Sequence, residues 1–140
     1  MKKPLPKLKT AMTPFPYSIE ADADIAQAAA ILAEHDFHHL PVTAHGQLVG
    51  QVTAGAIAAL PSGDPRRRVR EVYSDDPYIV ELHEPLIAVL NEMARRRADA
   101  AIVVRQGKLV GVFTAGDACA AFAELLVTLD PPPPEGNDAA

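Results

Sequence analysis

Tryptophan is absent from this chain of 140 residues, cysteine occurs once, and aromatic residues make up 5% of it. A single cysteine, Cys119, cannot close an internal disulfide. Packing alone must therefore hold the fold, which fits a reducing, cytoplasmic compartment. A helix needs roughly 20 consecutive apolar residues to span a bilayer. No run here approaches that, so no membrane partner is expected. The basic start "MKKPLPKLK" leads into no continuous apolar stretch, so it is not expected to act as a secretion signal. Net positive charge is also missing. The balance is −5, which argues against a nucleic-acid partner. The arginine runs "RRRVR" (66–70) and "RRR" (95–97) have no interleaved aromatic rings to stack on bases. They read as a solvated linker and as favourable charge at a helix C-terminus. Catalytic signatures are lacking as well: there is no Ser-His-Asp pattern, P-loop or dinucleotide fingerprint. Cys119 falls in an alanine-rich helical stretch with no neighbouring base, and reads as core rather than nucleophile. No enzymatic activity is expected.

What the chain does have is 49% hydrophobic residues and a frame written twice. "GQVTAGA" (50–56) returns 61 residues later as "GVFTAGD" (111–117). The same offset lays Pro16-Tyr17 on Pro77-Tyr78, Leu32 on Met93, Val42 on Val103, and "GQLVG" (46–50) on "GKLVG" (107–111). One register kept over so many apolar and glycine positions means two copies of one supersecondary unit. In each copy apolar residues recur at helical spacing: Ile25, Ala28, Ala29 and Leu32, then Leu86, Val89, Leu90 and Met93. Pro85 suits the first helical position. A short apolar run follows, then a tight turn ("AHG" or "RQG"), a second run, and a second helix opening at "AGAIAAL" or "AGDACAAFAELL". The order is β-α-β-β-α, twice. Units of about 60 residues are marginal alone, so the two are expected to share a core.

This pattern, with "HHLPV" (38–42) and the Gly-x-x-Thr-x-x-Asp of "GVFTAGD", resembles the CBS domain, of which two in tandem form a Bateman module. The resemblance implies a mixed α/β (α+β) fold. Two repeats pack pseudo-symmetrically into one module. The expected organisation is an N-terminal extension (1–11), repeat 1 (12–60), a linker (61–71), repeat 2 (72–127) and a disordered proline-rich tail (128–140). It further implies a regulatory homodimer acting on an unidentified effector protein; the alternative is a structural homodimerisation module whose degenerate sites bind no nucleotide. Its ligand would be an adenosine nucleotide (AMP, ADP or ATP) or S-adenosylmethionine, with no cofactor required.

The frame's chemistry supports such a ligand. A carboxylate in the first turn of a helix is stabilised by the helix dipole and accepts two hydrogen bonds, which suits the adjacent hydroxyls of a ribose. Asp117 has that position, and it also suits a plain helix cap. Thr114 can donate to a phosphate, and the amides of Ala115 and Gly116 face the anion-attracting end of the helix. Gly116 leaves room for close approach. Val112 precedes them in the same frame. By the resemblance, the opposite wall comes from repeat 1: Thr13 and Ser18, then Phe37, His38, His39 and Pro41. His38 and His39 would read the adenine edge through their backbone, and Pro41 would pack on its face. Ala56 stands where Asp117 stands in the other copy. That second site therefore lacks its ribose carboxylate, and Asp75, Asp76 and Asp99 would oppose a phosphate there. The cluster His35, Asp36, His38 and His39 is not expected to bind metal. The helix should end near Phe37, which breaks the His35–His39 spacing, and no further ligand joins.

Overall fold

The computed structural model describes residues 5–14, 17–61 and 66–134. The first repeat consists of β2 (Ile19–Glu20), α2 (Ile25–His35), β3 (His39–Ala44), β4 (Gln47–Thr53) and α3 (Ala54–Ala58). The second consists of β5 (Ile79–Glu81), α4 (Leu86–Arg96), β6 (Ala100–Arg105), β7 (Lys108–Thr114) and α5 (Ala115–Leu129). The order β-α-β-β-α stands in both. Ahead of them lie a helical turn α1 (Leu8–Ala11), a short strand β1 (Thr13–Pro14) and, before repeat 2, a 3-10 turn over Val69–Glu71.

Local chemistry explains the elements. In α2, Ala28 and Leu32 are buried, one turn apart; in α4, Val89 and Met93 take the same places. Each helix stops at a left-handed residue, Asp36 (φ 54) or Arg97 (φ 55). The Phe37 amide then donates to the Leu32 carbonyl, and the Ala98 amide to the Met93 carbonyl, both at 2.9 Å. This closes the exposed carbonyl end. Both helices cross over between parallel strands, β2 to β3 and β5 to β6, as parallel pairing demands. Both hairpins turn on two residues with positive φ, His45-Gly46 and Gln106-Gly107. That geometry matches the right-handed strand twist. Pro85 occupies the cap position, one residue before the first helical residue.

The cores repeat the sequence offset position by position. Leu40 opposite Val52 in one hairpin becomes Ala101 opposite Phe113 in the other, all four buried. A side chain lost on one strand is regained on its neighbour, which keeps the core filled.

The two halves exchange their leading segments. The sheets run β2-β3-β4 and β1-β7-β6-β5, so β1 from the start of the chain joins the second repeat. Thr13 pairs with Val112 and Pro14 with Gly111. On the other side Ser74 bridges to Gln51, each amide donating to the other's carbonyl at 3.0 and 2.7 Å. Leu8 is buried in the second repeat's core and Val69 in the first's. Residues 8–11 and 69–71, expected as extension and linker, are thus packed elements of the module; positions 62–65 lie outside the described residues. Glycine makes the crossing possible. A Cβ on Gly50 would lie 2.1 Å from the Ser74 carbonyl oxygen, and one on Gly111 2.7 Å from that of Thr13.

At the C-terminus α5 continues to Leu129, two residues into the stretch expected to be tail. Residues 131–134 carry no regular structure, and 135–140 lie outside the described residues. Cys119 is exposed on α5 rather than in the core. No helix among the described residues is long and apolar enough to cross a membrane.

Candidate functional site

Strand β7 delivers the chain to the N-terminus of α5, where Thr114 is the cap. The Asp117 amide donates to Thr114 Oγ1 at 3.1 Å, and the Thr114 amide donates back to Asp117 Oδ2 at 3.0 Å. This reciprocal box holds the carboxylate in one orientation. Thr13, carried across on β1, donates its hydroxyl to both carboxylate oxygens, at 3.0 and 3.1 Å. Asp117 therefore does cap its helix, and its outward side is met by one shared proton. In the other copy the Ala56 amide donates to Thr53 Oγ1 at 3.0 Å, but Ala56 has no carboxylate to return the bond.

Beside this corner lies an open cavity of about 680 Å³. Thr13, Val112, Thr114 and Gly116 form one wall, and Phe37, His38 and His39 the facing one. Asp117 sits behind Thr13 and Thr114 rather than on the wall itself. Ser18 is exposed and lies off this cavity, and Pro41 is fully buried in β3. Pro41 therefore has no exposed face to offer a ligand. The His38 carbonyl already accepts the Ala54 amide at 2.9 Å, which leaves it one lone pair.

Asp36, Thr53, Gly55 and Asp99 line the same cavity. Sequence reasoning left them out, and placed Asp99 with the Ala56 site. The signal was available in the repeat. Asp99 is the counterpart of His38, Thr53 of Thr114, and Gly55 of Gly116. A cavity near the pseudo-twofold axis is lined by both members of each pair. A Cβ on Gly55 would meet nothing within 4 Å, and one on Gly116 only Thr114 Oγ1 at 3.6 Å. Neither φ is in the left-handed region. The fold does not need glycine at either place, and the space it leaves opens into the cavity.

Phe37 belongs to an aromatic cluster with Tyr17 and His35. The His35 ring lies 4.1 Å from that of Tyr17 and 5.3 Å from that of Phe37, centre to centre. His35 is thus turned into ring packing, and among the described residues no three or more His, Cys, Asp or Glu side chains are grouped to hold a metal. His39 is half-buried, and its Nδ1 meets no hydrogen-bond partner. Burial pushes its pKa below the ordinary value and His38 adds to this; Asp99 and a hydrogen bond with Gln51 oppose it. Arginines of both runs form ion pairs. Arg70 meets Asp22 at 2.8 Å, Arg95 and Arg96 both meet Glu92, and Arg96 lies over the Tyr78 ring at 4.6 Å. The two arginines hold the Glu92 carboxyl down at about 2.

Comparison with known proteins places this geometry. A CBS domain pair in complex with 5′-methylthioadenosine and S-adenosyl-L-methionine superposes with a TM-score of 0.77 at 26% identity, over 87% of this chain and 99% of that one. The CBS domain of a bacterial CNNM/CorC-family Mg2+ transporter in complex with ATP gives 0.74 at 25% identity, over 84% and 87%. In sequence, an L-aspartate semialdehyde sulfurtransferase from Methanocaldococcus jannaschii is 28% identical over 119 residues, 84% of this chain. This chain spans only 23% of that protein's length. The sequence pattern of the CBS domain matches twice, over residues 8–63 and 69–124. Both matches start at the exchanged segments, at Leu8 and Val69. With two such domains covering most of its length, the chain belongs to the CBS-domain family as a tandem pair.

Proposed function

We propose that this protein is a regulatory module that binds an adenosine-containing ligand in the cavity between its repeats and signals occupancy to a partner protein. The observation that carries this reading is the Asp117 carboxylate, oriented by the Thr114 amide and met on its outer side by a single Thr13 proton. A ribose diol brings two donors to the place that proton serves. Phe37 offers the aromatic surface for a purine, and Gly116 the clearance. The ligands of related CBS pairs, S-adenosyl-L-methionine with 5′-methylthioadenosine in one and ATP in another, support the adenosine class. The sulfurtransferase likeness covers a minor part of that enzyme, so we assign no catalysis to this chain. We further propose that it acts as a homodimer.

Calorimetry with 5′-methylthioadenosine tests the reading. Asp117→Ala is expected to weaken binding at least tenfold, since hydrogen bonds to a charged group are worth about 1.5–3 kcal/mol each. The fold should survive, because a lost cap costs about 1 kcal/mol. Gly116→Ala is expected to raise stability by roughly 0.5–1 kcal/mol, as alanine does within helices, while weakening the ligand. Unchanged affinity in both variants would overturn the reading.

A further inference from the structure

Related CBS pairs hold both phosphorylated and phosphate-free adenosine compounds, so this chain's own cavity must decide between them. We infer that it selects adenosine compounds that are uncharged or positively charged at the 5′ end, and rejects those carrying phosphates. The inference rests on the adenosine reading above and adds the ligand's charge class.

Three observations carry it. First, the charged side chains on the wall are Asp36 and Asp99, with Asp117 directly behind; among the described residues no lysine or arginine lines the cavity. A phosphate there would face carboxylates with no cation to offset them, in a cleft where charges interact more strongly than in bulk water. Second, the anion-attracting end of α5 is already engaged. The Ala115 amide donates to the Asp99 carbonyl at 2.8 Å, and the Asp117 amide to Thr114 Oγ1. The Asp117 carboxylate itself occupies the position an incoming anion would take at that helix end. Of the two amides expected to receive a phosphate, that of Ala115 is thus spent. Third, arginines of both runs are drawn to carboxylates elsewhere, Arg70 to Asp22 and Arg95 and Arg96 to Glu92. Asp36 and Asp99 are both exposed. Their charge is available to attract a sulfonium or ammonium group.

The test is calorimetric titration of the full chain, without magnesium, against 5′-methylthioadenosine, S-adenosylmethionine, AMP and ATP. The first two are expected to bind at least tenfold more tightly than AMP, and AMP more tightly than ATP. Removing charge by Asp36→Asn and Asp99→Asn should narrow the gap between AMP and 5′-methylthioadenosine severalfold. Asparagine tolerates the left-handed backbone at position 36, so the variant keeps the helix end. Raising the salt concentration should narrow the gap between 5′-methylthioadenosine and AMP, which steric exclusion of phosphate would not do. AMP or ATP binding as tightly as 5′-methylthioadenosine would overturn the inference while sparing the adenosine reading. So would a gap unmoved by salt and by both asparagine variants. Failure of all four probes to bind would overturn the adenosine reading, and the inference with it.

Discussion

His39 shows how one side chain ties the cavity to stability. Its imidazole is half-buried on β3 and its folded pKa lies below the ordinary 6.5. Between the folded and unfolded values the unfolded chain binds more protons, so stability rises with pH across that window. The contribution is complete above about pH 6.5 and is lost as pH falls through the folded value. Thermal melts from pH 7.5 down to 5 should show this decline, and His39→Gln should flatten it. An equal slope in the variant would assign the decline to other groups. At this scale the sequence was informative where chemistry is local. Thr114 and Asp117 are three residues apart, and their reciprocal cap follows from that spacing. Pro41 and Cys119 were misread because strand facing and helix exposure depend on what packs against them.

Among the elements, β4 and β7 decide how the halves join. Each carries a glycine where the other half's leading segment crosses, and the contact at Gly50 is the tighter. Gly50→Ala forces a methyl group against the Ser74 carbonyl. It is expected to destabilise the protein by about 1–3 kcal/mol, the usual cost of overpacking. Gly55→Ala, five residues on, meets open space and should cost nothing. Urea unfolding of the two variants compares them directly, and equal stabilities would contradict the crossing. Within the two repeats, the strands, helices and hairpin turns could be read from period and turn residues. The exchange could not. Leu8 is one apolar residue in a basic, proline-containing stretch, and a single residue has no period to reveal that it is buried.

Taken whole, the module leaves one long element without a cover. None of the fifteen residues of α5 is buried, although Phe122, Leu126, Val127 and Leu129 are large and apolar. Phe122 is 60% exposed and Leu129 71%. Apolar surface of this kind on a helix favours self-association, and twofold pairing is the commonest form. The proposed homodimer therefore predicts a dimeric mass by light scattering at micromolar concentration. Phe122→Glu combined with Leu126→Glu should shift it to monomer with the fold intact by circular dichroism. A monomeric wild type would refute the dimer.

By itself the amino-acid sequence determined the repeat, the order of its elements, the tight hairpin turns and the capped carboxylate at the head of α5. Each of these depends on residues within a few positions of one another, or on a register that the chain states twice. Only the tertiary structure decided which half receives each leading segment, that Thr13 reaches Asp117 across 104 residues, and that Asp99 shares a cavity with His38. Those outcomes depend on closing long stretches of chain and on which surfaces fit, and neither is encoded in local spacing. Two nearly equal copies offer the same local chemistry to either partner, so the choice falls to the packing of Leu8 and Val69 into opposite cores.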